Sequence, residues 1–393
     1  MVYSCSSTKS ERAGDPTGID VIRGYSTPGT FKLSEIVSDV EFVTLEAVPD
    51  SYFSAEQFDF NRQVSISRNH VLVVVKKSQT LLLFDRKGKF LQKIGRIGNG
   101  PGEHVYIETA CLDPFDRFII LVDPFSDKVI KYSMEGEVIQ TKHFTDFSKQ
   151  WEPDRIRLLS MDESHLALML ARPKVPVDSF SQVLILDNDL NITDSLLKRA
   201  NDNNLLLTGW VRGHITPSKG KLLFWENYFD TLYYLHDDGR QDPRFRLFFS
   251  KDDLPADFFN DPNGQTGWDK LCYIHKIIDL PGHLILFGSY NQDHFFSLTY
   301  DKKTNEIVRT GGDGRPFYDN DLYAFPLGDF EVNYFENTLY HLMEIYSIDD
   351  QLADSLLRKS VLLPTKRDEL IRLLKNRTEN DNPLLFLMKL REK

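Results

Sequence analysis

Apolar runs alternate with short polar turns along most of the chain, in a recurring order. An apolar strand is followed by a polar turn, a second apolar strand closing on an aromatic residue or Leu, and a turn of Asp, Asn or Gly. The units read HVLVVVKKSQTLLLFDRKG, RFIILVDPFSDKVIKYSMEG, HLALMLA with SQVLILDNDLN, KLLFWENYFDTLYYLHDDG and HLILFGSYNQDHFFSLTYDKK. Their closing residues Phe84, Tyr132, Leu186, Leu235 and Tyr300 stand 48, 54, 49 and 65 residues apart. A period of roughly 40 to 50 residues made of short strands is that of a β-propeller blade with four antiparallel strands, excess length falling in loops.

Lettered from the channel outward, the first blade is expected to use Phe60 to Ser67, His70 to Lys76, Thr80 to Asp85 and Lys89 to Gly95 as strands A to D. The second uses Glu108 to Pro114, Arg117 to Asp123, Lys128 to Ser133 and Glu137 to Phe144. Gly88 and Gly136 fall in the C-to-D turns, where positive φ is needed. Five complete units leave fragments at both ends. Phe330 to Asn337 and Thr338 to Ile345 read as strands A and B of a sixth blade, and Pro383 to Leu390 as its strand C. Val40 to Glu46 alternates apolar and polar residues as an outer strand does, so pairing it with 383–390 closes the ring and removes two sheet edges. The fold class is therefore all-β, a six-bladed propeller spanning 19–393. Its last blade carries a helical insertion at 347–381, expected over one mouth of the channel.

Composition supports one large β body, with 28 Phe and 16 Tyr among 393 residues. The formal charge of -11 repels polyphosphate at long range and argues against nucleic acid as a partner. No run approaches the ~20 apolar residues of a membrane-spanning helix. Three cysteines, Cys5, Cys111 and Cys272, exclude a disulfide framework, and no zinc spacing is present.

Val2-Tyr3-Ser4-Cys5 resembles the end of a bacterial lipoprotein signal, where a small residue precedes the Cys that is acylated. Met1 would then be an internal start within a longer precursor. Residues 1–18 read as an anchor and polar tether, which predicts lipidation at Cys5; the competing reading is an ordinary Cys in a frayed tail. The segment IGRIGNGPGEH, followed by ACLDPFDRFIILVDPFSDKVIKYSMEGEVI, is similar to an NHL-type repeat. Together with the Cys-initiated N-terminus, VEFVTLE and DNPLLFLMKL, it resembles the six-bladed propeller lipoproteins of Bacteroidetes over nearly the whole chain. That resemblance implies a lipid-anchored protein at the cell envelope, on the outer-membrane or periplasmic side.

No chemistry-bearing motif assigns an activity. The Gly95 to Gly102 segment lacks the Gly-Lys-Ser/Thr of a phosphate loop and reads as a D-to-A turn. Asp187-Asn188-Asp189-Leu190-Asn191 begins like a calcium loop, but Ile192 and Lys198 stand where Gly and Glu are required. No catalytic residue or resident cofactor is expected, and calcium held by dispersed channel oxygens stays open. His214 and His275 lie near strands A and read as channel-facing or as core histidines. The B-to-C turns and D-to-A loops share one face and supply candidate ligand contacts: Arg96, Asn99, His104, Phe125, Arg172, Trp210, Tyr228 and Tyr290. Aromatic rings with polar tips at a concave mouth suit a glycan, a peptide or another small molecule. The expected function is non-enzymatic binding of such a ligand or of a protein partner by a monomer. The alternative is a calcium-dependent hydrolase or lyase in the channel.

Overall fold

The computed structural model describes residues 16–53, 64–144, 156–170, 179–200, 213–218, 220–226, 231–248, 272–290, 294–312, 320–325, 331–343 and 348–391. Six sheets form a six-bladed propeller with four antiparallel strands per blade. Blade 1 is Val64–Ile66, His70–Val75, Thr80–Asp85 and Phe90–Ile94. Blade 2 is Thr109–Leu112, Ile119–Asp123, Lys128–Tyr132 and Val138–His143. Blade 3 is Arg157–Ser160, His165–Met169, Ser179–Asp187 and Ile192–Ala200. Blade 4 is Gly213–Ser218, Lys221–Glu226, Thr231–Leu235 and Gln241–Phe248. Blade 5 is Cys272–Asp279, His283–Tyr290, His294–Asp301 and Glu306–Gly312. Blade 6 joins Glu331–Asn333, Thr338–Met343 and Leu384–Leu390 to Val37–Thr44 from the other end of the chain.

The burial pattern explains the apolar runs. Middle strands lie between two neighbouring blades, so both faces must be apolar: Val71 to Val75 are all buried. The outer strand of blade 2, by contrast, keeps Val138, Ile139 and His143 exposed. Each pair of adjacent blades shares one core, and six such seams close the ring. Leu72, Val74, Leu81 and Leu83 of blade 1 meet Leu112, Ile119 and Leu121 of blade 2. Val73 and Phe84 meet Leu385 and Leu387 across the seam with blade 6. A buried Leu or Phe contributes ~1.5–3 kcal/mol, so each seam is a substantial share of the stability.

The N-terminal segment runs outside the ring before it enters blade 6. Thr17–Asp20 adds a fifth, parallel strand to blade 4 by pairing with Phe245–Phe248. It takes in Thr17 and Gly18, which the sequence reading gives to the tether; Ile19 buries its side chain and the exposed edge of blade 4 is covered. Asp20 then caps the helix Val21–Ser26 by accepting from the Arg23 N–H at 2.9 Å. Pro28 bridges to Arg309 on the outer strand of blade 5. Val37–Thr44 finally pairs with Leu384–Leu390, Phe42 lying opposite Phe386.

Two helices, Asp350–Leu357 and Pro364–Lys375, form the insertion between strands B and C of blade 6. The side chain of Asp349 accepts from the Leu352 N–H at 2.7 Å, and Pro364 opens the second helix where no N–H is required. The insertion does not line the channel. Leu356, Leu370, Ile371 and Leu374 are buried with Val40 and Phe42 of the outer strand and with Tyr323. The N–H groups of Leu362 and Leu363 donate to the carbonyls of Asp321 and Leu322. An apolar helix stripe needs an apolar partner, and the outer seam between blades 5 and 6 offers one whereas the channel mouth is polar.

Candidate functional site

The innermost strands enclose a cavity of about 340 Å³, to which all six blades contribute. In this topology every strand A starts at the face of the D-to-A loops, so residues early in these strands stand at that mouth. Blades 1 and 2 give Ser65, Thr109 and Cys111, blade 3 gives Arg157, and blade 4 gives His214 and Trp225. Blade 5 gives His275 and Lys276, and blade 6 gives Glu331 and Tyr340.

Short-range contacts hold this lining. The His214 imidazole stacks on the Trp225 indole with centroids 4.7 Å apart and planes 11° from parallel. The ladder between strands A and B of blade 5 is irregular between Ile274 and Lys276, so His275 is an extra residue opposite the regular partners. Such a bulge re-aims a side chain, and His275 is exposed with Nε2 2.9 Å from Ser289 Oγ. Lys276 Nζ donates to Glu331 Oε1 at 2.7 Å, linking blades 5 and 6. The Leu112 N–H donates to Ser65 Oγ at 3.1 Å and the Tyr340 hydroxyl to the Val64 carbonyl at 2.9 Å, linking blade 1 to both neighbours. Cys111 is a buried free thiol with Sγ 3.4 Å from Ser160 Oγ, and burial pushes its pKa up.

The loop residues expected from sequence divide into several kinds. Arg96 reaches Glu103 at 2.6 Å, and the Gly100 N–H donates to the same carboxylate at 2.7 Å. The Gly100 N–H, aided by the Arg96 guanidinium, outweighs the effect of burial and holds the Glu103 carboxyl below its ordinary range. Asn99 presents its carbonyl to Lys128 Nζ at 3.3 Å. His104 is buried beneath the loop with Nε2 3.0 Å from the Gln79 carbonyl, so it anchors the loop and offers no surface to a ligand. The glycine-rich segment is thus a turn held by Glu103 from within and by Lys128 of blade 2 from outside. Phe125 is 54% exposed and meets Tyr106 edge to face at 4.8 Å. Cys5, Arg172, Trp210 and Tyr228 lie outside the described residues, and Tyr290 ends strand B of blade 5, its side chain likewise outside them.

The donors bear on metal chemistry as well. Among the described lining residues Glu331 is the one carboxylate, and it is engaged by Lys276, whereas Ca²⁺ takes 6–8 oxygens. These residues do not fit a calcium cage. At the Asp187 tip the carboxylate accepts from the backbone N–H groups of Asp189 at 2.9 Å and Asn191 at 2.7 Å, closing a hairpin. One Asp/His group, Asp162, His165 and Asp237, gathers its ligand atoms within 4.8 Å of one another, on turns of blades 3 and 4 away from the cavity.

Arg157, Lys276 and Glu331 are the charged lining residues that sequence reading passes over. The available signal is positional: Arg157 and Glu331 open a strand A and Lys276 lies midway along one, but the preceding D-to-A segments vary too much in length to fix where these strands start.

The structure resembles solved propellers. A candidate exported protein from Bacteroides fragilis NCTC 9343 matches with a TM-score of 0.68 at 16% identity, covering 95% of this chain and 99% of that one. A DUF4221 family member from Bacteroides vulgatus matches with a TM-score of 0.49 at 9% identity, covering 91% and 98%. Virginiamycin B lyase from Staphylococcus aureus gives 0.39 at 10% identity, covering 78% and 85%. The first likeness speaks for the fold, and the other two carry nothing further. No curated protein matches the sequence. The family model for the domain of unknown function DUF4934 matches residues 16–389, nearly the whole ring, and the chain belongs to that family.

Proposed function

We propose that this protein is a non-enzymatic binding propeller of the bacterial cell envelope, tethered by a lipid on Cys5, that takes a small glycan or peptide into its channel mouth. One observation carries the reading: a cavity of about 340 Å³ is walled by polar, aromatic and aliphatic residues from all six blades. A volume near the small end of the ~300–1,000 Å³ range suits a single sugar unit or a short side chain. Hydrogen bonds between neighbouring strands A pre-order the wall, which lowers the entropy cost of binding. The site needs no second copy of the chain, because the six blades of one ring line it. Support for the envelope comes from the Val2-Tyr3-Ser4-Cys5 segment and the polar residues after it.

The test is calorimetric titration with a panel of monosaccharides and short peptides, comparing wild type with His275→Trp. The substitution places a large ring at an exposed mouth position, so the fold is retained while access narrows. Binding that His275→Trp abolishes supports the reading; binding that it leaves untouched, or none across the panel, refutes it. Mass analysis of a precursor expressed behind a lipoprotein signal checks the anchor, with Cys5→Ser removing the acyl mass.

A further inference from the structure

We infer that the channel mouth recognises an anionic group, and that its ligand carries a carboxylate or phosphoryl. This rests on the reading of the channel as the binding site and adds the ligand's charge to it. Three consecutive blades contribute the basic side chains: Arg157 from blade 3, His214 from blade 4, and His275 with Lys276 from blade 5. The facing wall from blades 1 and 2 is neutral, with Ser65, Thr109 and Ala110, and Glu331 of blade 6 is the single carboxylate in the described lining. The wall is therefore a basic arc with one acid at its end.

Its setting makes the arc informative. The whole chain carries a formal charge of -11, so described lining residues whose permanent charges are two cations and one anion run against the average. A concave, low-dielectric site focuses such a local field. The second observation is the bulge at His275. The irregularity between Ile274 and Lys276 leaves His275 exposed, and both His275 and Lys276 line the cavity. Blade 5 thus places two adjacent basic residues in the lining. Glu331, 2.7 Å from Lys276, fixes the ammonium in place. Arg157 supplies the planar fork that matches two oxygens of a carboxylate or phosphate. The His214 and His275 rings supply further N–H donors at the same mouth.

The experiment uses three hexoses that differ in charge: glucose, glucuronate and glucose 6-phosphate. Each is titrated by calorimetry into wild type, Arg157→Met, the double variant Lys276→Met/Glu331→Gln, and His275→Trp. The double variant removes the ion pair without changing net charge, and thermal melting checks that each protein is folded. We expect glucuronate or glucose 6-phosphate to bind at least tenfold more tightly than glucose, with Arg157→Met cutting the affinity at least tenfold. Glucuronate alone identifies a carboxylate, and glucose 6-phosphate alone a phosphoryl group. Equal binding of all three, lost in His275→Trp, would overturn the charge assignment and leave the channel as the site. Anion binding unaffected by Arg157→Met would overturn it too. No binding of any hexose, or binding that survives His275→Trp, overturns both readings for sugar-sized ligands.

Discussion

Lys276 Nζ and Glu331 Oε1 lie 2.7 Å apart, so one half-buried ion pair joins the innermost strands of blades 5 and 6. These side chains are 16% and 30% exposed, which weakens solvent screening without removing it. Lys276→Met leaves the carboxylate without this partner, and Glu331→Gln does the same to the ammonium. Each single substitution is expected to cost about 1–2 kcal/mol, and the double variant less than their sum. Urea unfolding of the four proteins gives the coupling directly. Strict additivity would mean that the pair does not link the blades.

Cys111 lies on strand A of blade 2 and Cys272 opens strand A of blade 5, which stands opposite in a ring of six. A disulfide needs Cα atoms within ~7 Å, a separation that opposite walls of the channel exceed. In a Cys5→Ser chain two thiols should therefore titrate after denaturation without reductant. In the native protein Cys111 should react slowly, because burial raises its pKa and restricts access. Mass mapping that found a Cys111–Cys272 bridge would contradict the ring order.

Much of the fold is legible because each blade repeats the same demand. Leu81 to Phe84 are buried from both sides, so the strand must be a continuous apolar run, and a polar turn must follow at Arg86 to Gly88. That regularity is visible without coordinates. The strand Thr17–Asp20 is not, since TGID carries no period and gains its ladder from blade 4 alone. The helices were readable as helices, but their place was not: amphipathicity reveals a buried face, while the partner at the outer seam, around Phe42 and Tyr323, is set by tertiary structure. Most of the channel site was hidden for a similar reason. His214 and His275 were legible near strands A, whereas Arg157, Lys276 and Glu331 are separated by dozens of residues and meet only because six strands A converge.

Gly88 adopts φ +88°, and a Cβ there would run into the backbone carbonyl of Thr44 on the outer strand of blade 6. Gly220 has a comparable φ of +68° with nothing within 4 Å of the same position. Both Ala variants incur the left-handed backbone cost of ~1–2 kcal/mol. Only Gly88→Ala must also separate blade 1 from blade 6, so it should be the more destabilising by about 1 kcal/mol or more. Thermal melts of the two variants side by side decide this, and equal losses would show that the seam yields freely.

Asp162 pairs with His165 Nδ1 at 2.9 Å and accepts from the N–H groups of Ser164 at 2.6 Å and His165 at 2.8 Å. Partial burial pushes its carboxyl up, but these hydrogen bonds outweigh it and the net shift is downward. A depressed folded-state pKa gives stability that is complete above the ordinary Asp value of ~3.9 and is lost as pH falls through it toward the lower folded value. Asp162→Asn keeps an acceptor and removes the charge. The variant should be less stable than wild type at pH 7, and the gap should narrow as pH falls below the ordinary Asp range. A gap independent of pH would assign the loss to geometry.

The two ends of the chain differ in what they hold. Thr17–Asp20 covers the free edge of blade 4 and pairs on one side only, so removing residues 1–20 exposes one edge and costs a local part of the stability. Leu384–Leu390 is the third strand of four in blade 6, laddered to Thr338–Met343 on one side and to Val37–Thr44 on the other. Leu384, Leu385, Phe386 and Met388 are fully buried, with Leu385 at the seam with blade 1 and Phe386 at the seam with blade 5. Deleting residues 383–393 thus removes two ladders and opens two of six seams at once. At ~1.5–3 kcal/mol for each buried side chain, the loss rivals the ~5–15 kcal/mol total of a typical domain. Cooperative unfolding should disappear in the C-terminal deletion and survive, at a lower midpoint, in the N-terminal one. Calorimetry distinguishes the cases, and a C-terminal deletion melting in one sharp transition near that of the parent would rule out closure of the ring through this strand.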